Sequence, residues 1–229
     1  MSLKNQIFFF PYFLFLSFFE LYPQNLSIVE KPIPVAPKER LKLIREYADL
    51  HYGKGFIRAD GKIEPRFIVI HSTETQDFSS TYQIFNGNRL QGREDIRSGG
   101  NYNVGTPFVV DKDGTIYRIF PEILMGRHCI GLNHISIGIE NVGFHAKGLS
   151  EKQLEANLAL VEHLLKKYPK IEFLIGHYEY TDCEKNPFFK EKMRDYRTEK
   201  TDPGKDFLQK LRIRLRNKGI TLKSCSPKA

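Results

Sequence analysis

"RFIVIHST", residues 66–73, decides the fold class. Its core, Phe67 to Ile70, is an unbroken apolar run rich in β-branched residues, too short for a helix and suited to a strand buried on both faces. Working outward, "IEFLIGHYEY" (171–180) repeats the form and runs into a loop, while "ISIGIENVG" (135–143) alternates isoleucine as another strand. "TPFVVDKDGTIYRIFPE" (106–122) reads as two strands joined around Asp113-Gly114, a strong hairpin signal. Between these lie helical patterns. "SEKQLEANLALVEHLLKKYP" (150–169) places Ser150 and Gln153 in capping-box spacing and Leu154, Leu158, Val161 and Leu165 on one face. "PKERLKLIREYADLHYG" (37–53) sets Leu41, Ile44 and Leu43 or Tyr47 at helical spacing and ends at Gly53. A basic helix closes the chain. Strands interleaved with helices predict a single α/β domain over residues 41–217, with a mixed, mainly parallel central sheet flanked by helices.

The flanks carry different signals. Residues 1–26 hold Lys4 and an apolar run from Ile7 to Phe19 interrupted by Pro11, short for a bilayer span and suited to a signal-peptide core. They are read as a signal peptide or an uncleaved N-terminal anchor, so the protein is expected to be exported to the periplasm or cell envelope. Membrane contact is expected only through that leader. Residues 27–40, with their prolines, read as an extended linker, and 218–229 as a loose basic tail. The formal charge of +8 favours an anionic partner, although much of the excess sits in the closing helix, where a solvated face explains it. No basic–aromatic stacking pattern accompanies it, so nucleic acid is not an expected partner. Cys129, Cys183 and Cys225 are an odd set for an exported chain and lack C-x-x-C spacing, which excludes a thiolate-rich zinc site. Which of them pair is open at this level.

Chemistry could live at the strand ends. His71 ends "FIVIH" and His177 ends "FLIGH", and polar residues at such positions line one edge of a sheet. Each alone is commonly a satisfied structural histidine; two after similar runs raise a metal site to an equal reading. Glu140 is either the last exposed residue of its strand or a buried acid with a raised pKa. In "TEKTDPGKDF" (198–207), Asp202 before Pro203 has the form of a helix N-cap, with Phe207, Leu208, Leu211 and Leu215 following.

"IVIHST" (68–73), "GRHCIG" (126–131) with "SIGIENVG" (136–143), "IGHYEY" (175–180) and "YRTEKTDPG" (196–204), in this order, resemble the zinc-dependent type-2 N-acetylmuramoyl-L-alanine amidases, whose fold is shared by peptidoglycan recognition proteins and phage-lysozyme-type amidases. The resemblance spans about residues 66–208. It implies one zinc ion held by His71, His177 and Asp202, with Glu140 as catalytic acid and Lys200 stabilising the transition state. It also places Arg127 and His128 where the family lines its substrate groove, with Arg127 replacing a Trp. Two imidazoles and a carboxylate leave a fourth zinc position open for water. The implied activity is hydrolysis of the amide between N-acetylmuramic acid and L-alanine in peptidoglycan or muropeptides, by a monomer. The alternative is a recognition-type module that holds muropeptide without cutting it, which loss of a ligand or of the acid would mark; none is lost.

Overall fold

The computed structural model describes residues 26–34 and 37–225. The leader and the last residues of the tail lie outside the described residues. In chain order the elements are β1 (Ile28–Glu30), α1 (Pro37–His51), β2 (Phe67–Ser72), α2 (Phe78–Phe85), β3 (Phe108–Val110), β4 (Ile116–Arg118), β5 (Ser136–Asn141), α3 (Glu151–Lys167), β6 (Phe173–Gly176) and α4 (Lys205–Asn217). The strands form one six-stranded sheet in the order β1-β4-β3-β5-β2-β6. Only β3 and β4 pair antiparallel, as the Asp113-Gly114 hairpin requires. The fold is therefore the mixed, mainly parallel α/β sheet that the hydrophobic patterns imply.

Alternation along the strands sorts their side chains between two faces. Ile68, Ile70, Ile137 and Ile139 face Leu154, Leu158 and Val161 of α3 and Leu208, Leu211 and Leu215 of α4, in one core cluster. Phe67, Val69, Phe173 and Ile175 face the other way, against Cys129, Ile130, Leu132, Tyr180, Cys183 and Tyr196. The capping box at the start of α3 is formed: the Ser150 hydroxyl accepts from Gln153 N–H and the Gln153 side chain accepts from Ser150 N–H.

Both flanks differ from their sequence reading. The segment read as a linker is built into the domain instead: β1 pairs parallel with β4, Ile33 is buried, and α1 begins at Pro37. The unpaired edge of β4 offers a hydrogen-bonding template that an extended proline-containing strand can satisfy from one side. The stretch after α4 is likewise anchored. Leu174 N–H donates to Lys223 O, Lys223 N–H donates to Glu172 O, and Ile220 and Leu222 pack on the α3/α4 core. Cys225 is bonded to Cys183, leaving Cys129 as a buried free thiol. The bridge closes a loop of 42 residues. Cys225→Ser is expected to cost about 2–4 kcal/mol under oxidising conditions, read as a lower urea midpoint, and to cost nothing in reductant. Much of the closing positive charge is paired: Arg212 with Glu179, Arg214 with Glu151 and Glu155, and Lys218 with Glu162.

Candidate active site

Register explains why the strand-end residues meet. In the adjacent parallel strands β5 and β2, His71 stands opposite Glu140. On the other side of β2, Ile70 stands opposite Gly176, which brings His177 level with His71. All three residues fall on the face of Val69 and Ile175, at the C-terminal ends of their strands. Asp202 arrives from the loop before α4. Its carbonyl accepts from Tyr178 N–H (3.1 Å), and its Oδ2 accepts from Ser72 N–H (3.4 Å).

The result is a triangle of ligand atoms. His71 Nδ1 lies 3.1 Å from His177 Nδ1 and 3.3 Å from Asp202 Oδ2, and His177 Nδ1 lies 3.2 Å from the same Oδ2. Ligands ~2.0–2.1 Å from a tetrahedral ion stand ~3.3 Å apart, so these edges fit zinc and its preferred nitrogen and oxygen donors. All three residues are buried. Burial and the neighbouring His177 lower the pKa of His71 to about 4, which keeps its ring neutral, the form that binds a metal. Burial pushes the Asp202 carboxyl up, but His177 and His71 beside it outweigh that and hold it well below the usual range. It is anionic at any working pH.

Asp202 is not the cap of α4. The helix begins at Lys205 and its N-cap is Gly204, whose φ of 90° few other residues adopt. Chain direction is set by Gly204, and the Asp202 carboxylate is free to turn toward the histidines.

Glu140 is buried, 9 % exposed, and its Oε2 has no hydrogen-bond partner among the described residues. Burial, then the nearby Asp202 charge, raise its pKa well above the ordinary carboxylate value, with Lys200 and Arg93 pulling the other way. The exposed reading of this strand end is excluded. Lys200 is half-buried at the same cleft, and burial, then the Arg93 charge, lower its pKa. The cleft of ≈ 530 Å³ is lined by the three ligand residues, Glu140 and Lys200, with Ile84, Val104 and Ile130 among its apolar lining. Arg93, beside Lys200 and Glu140, carries no signal in the sequence; no local pattern around it points to a site.

The two groove candidates are placed differently. Arg127 borders the same cleft, but it is 3 % exposed and its guanidinium is directed inward: it donates to Gly100 O, Tyr102 O, Ile96 O and Tyr196 Oη, and lies over the Tyr47 ring. A planar fork with carbonyl oxygens on its prongs is a structural tie, which a Trp at this position could not make. Arg127→Met is expected to destabilise the fold by about 3 kcal/mol or more, because buried carbonyls lose their donors; a groove residue would instead change KM with little loss in a denaturant titration. His128 edges the cleft, yet its Nδ1 lies 3.0 Å from His71 Nε2, behind the ligand.

Residues 61–205 match the family described as N-acetylmuramoyl-L-alanine amidase. No curated protein matches the chain. Similar solved structures include the N-acetylmuramoyl-L-alanine amidase LysC from Clostridium intestinale, 21% identical over 83% of this chain and 97% of that one, with a TM-score of 0.49. An AmpD derivative is 18% identical over 82% and 96%, TM-score 0.49, and the bumblebee recognition protein PGRP-SA is 25% identical over 68% and 82%, TM-score 0.44. The family match takes in β2 through the Asp202 loop, every strand and loop that builds the cleft: the chain belongs to the type-2 N-acetylmuramoyl-L-alanine amidase family.

Proposed function

We propose that this protein is a zinc-dependent hydrolase that cuts the amide between the lactyl group of N-acetylmuramic acid and L-alanine in peptidoglycan or its muropeptide fragments. The observation that carries the reading is the conjunction in one cleft of an N,N,O ligand triangle, His71, His177 and Asp202, with the buried carboxyl of Glu140, whose Oε2 has no hydrogen-bond partner among the described residues. His71, His177 and Asp202 would hold one zinc ion, which would supply Lewis-acid chemistry toward the scissile carbonyl and water. Glu140 takes a proton from the attacking water and passes it to the leaving amine of L-alanine; its raised pKa suits a group that must both gain and lose that proton. The Lys200 ammonium stabilises the negative charge that develops on the carbonyl oxygen, a contribution of ~3 kcal/mol for one well-placed donor.

Export belongs to this proposal. The Cys183–Cys225 bridge supports it, since such bonds persist in oxidising compartments. Cell fractionation is expected to recover the protein outside the cytoplasmic membrane; a cytosolic pool alone would point to turnover of imported fragments instead.

The activity test incubates zinc-loaded protein with purified sacculi and, separately, with soluble muropeptides, and identifies products by mass. Free stem peptides beginning with L-alanine are expected from at least one substrate. Retention on sacculi with no peptide released from either would make the protein a binding module.

A further inference from the structure

We propose that His128 is a positioning residue that fixes which nitrogen of His71 carries its proton, and so turns the bare Nδ1 of His71 toward the metal. The inference rests on the metal-centre reading above, and concerns a residue behind the ligands rather than one that touches substrate.

The argument runs outward from the backbone. His128 Nε2 lies 3.4 Å from Ser136 O and 3.4 Å from Ser136 Oγ. A carbonyl oxygen can only accept, and the Ser136 hydroxyl spends its proton on Leu132 O at 2.8 Å, so both neighbours are acceptors toward the ring. His128 therefore carries its proton on Nε2, and its Nδ1 is a bare acceptor. That Nδ1 faces His71 Nε2 at 3.0 Å, which must then be the donor. With its proton on Nε2, neutral His71 presents a lone pair at Nδ1, the atom in the triangle with His177 and Asp202. A ligating histidine ordinarily passes its second N–H to a carboxylate, a carbonyl or water. Here a second imidazole stands between the ligand and the carbonyl.

The surroundings hold the ring in this place. His128 N–H and Cys129 N–H both donate to Asn133 Oδ1, at 2.8 and 2.7 Å, and Asn133 Nδ2 donates to Tyr47 Oη at 3.0 Å. Below the ring lies Gly138 of β5, where a Cβ would stand 2.9 Å from His128 Nδ1 and 2.4 Å from Thr106 Cγ2. The sheet is thus bare beneath the imidazole. The His71 and His128 rings meet edge-on, at 84°.

The test measures zinc affinity of the full-length, metal-stripped protein by competition with a chromogenic chelator, without substrate. His128→Leu is expected to weaken zinc by about 10–100-fold, the usual cost of losing an outer partner. His128→Asn, whose Oδ1 can accept where Nδ1 did, is expected to stay within a few-fold of wild type. In zinc-loaded, nitrogen-15-labelled wild type, His71 should show a protonated Nε2 and His128 a bare Nδ1. Wild-type zinc affinity in His128→Leu, or an equal loss in both variants, would reduce His128 to packing. Should His128→Leu fail to fold, the wild-type spectrum decides: an unprotonated His71 Nε2 overturns the proposal. A wild type that binds zinc but cuts nothing would overturn the proposed hydrolysis and leave this inference standing.

Discussion

Glu140→Gln is expected to lower turnover by about 10²–10⁴-fold while leaving zinc content and fold unchanged. Gln has nearly the shape of Glu and cannot take a proton from water. The fold should tolerate it, because the carboxyl it replaces is buried with one oxygen unpartnered among the described residues. Neutral Gln avoids the burial that raises the Glu140 pKa, so a small gain in stability is the expected sign. The checks are kcat on a muropeptide, metal content of the purified protein and its thermal midpoint. Turnover within a few-fold of wild type would remove Glu140 from the mechanism.

Asp202→Asn is expected to abolish tight zinc binding, and turnover with it. An amide oxygen is a far poorer ligand than a carboxylate. The loss should exceed the roughly 10–100-fold that an outer partner costs. Thermal midpoints separate this from general damage. Zinc at 100 times its dissociation constant stabilises wild type by about 2.7 kcal/mol, on the order of 5–10 °C for a chain of this size. The variant should gain little from the same addition. In chelator the variant should melt close to wild type, because Gly204, and not Asp202, starts α4. An equal gain from zinc in both proteins would move the third ligand elsewhere.

The fate of Asp202 shows where the sequence is legible. Its residue type, next to Pro203 and ahead of an apolar stripe, satisfies every local rule for a cap, and those rules know only the nearest backbone N–H groups. The contacts that reassign it, with His71 and His177, join residues 131 and 25 positions away. Gly204 could take the helix start because it alone in that turn reaches a φ of 90° freely. His71, His177 and Glu140 were legible as strand-end residues because alternation with period two is a property of the chain, and parallel register then aligns what alternation has placed on one face. Arg127 was not, since the carbonyls of Ile96, Gly100 and Tyr102 that draw it inward belong to a different loop. Nor was the pairing of Cys183 with Cys225, which depends on the tail returning along β6. His128 sits between the cases: its position was marked, but its direction toward His71 needed three-dimensional packing around Gly138.

The register of the outer strand also sets how the protein can be held. Following paired residues across the sheet, Ile28 stands level with Ile116, Val110, Asn141 and finally Ser72, the residue after His71. Whatever precedes residue 26 is thus attached at the same end of the sheet as the mouth of the cleft, four strand spacings, about 19 Å, to one side. Lys223 pairs parallel with Phe173, at the opposite edge of the sheet, so the described tail runs alongside β6 toward the end that carries the cleft. A leader that stays in the membrane would turn the cleft back toward that membrane. Its working radius would then be fixed by the few residues between the leader and Ile28. A released leader would lift that restriction.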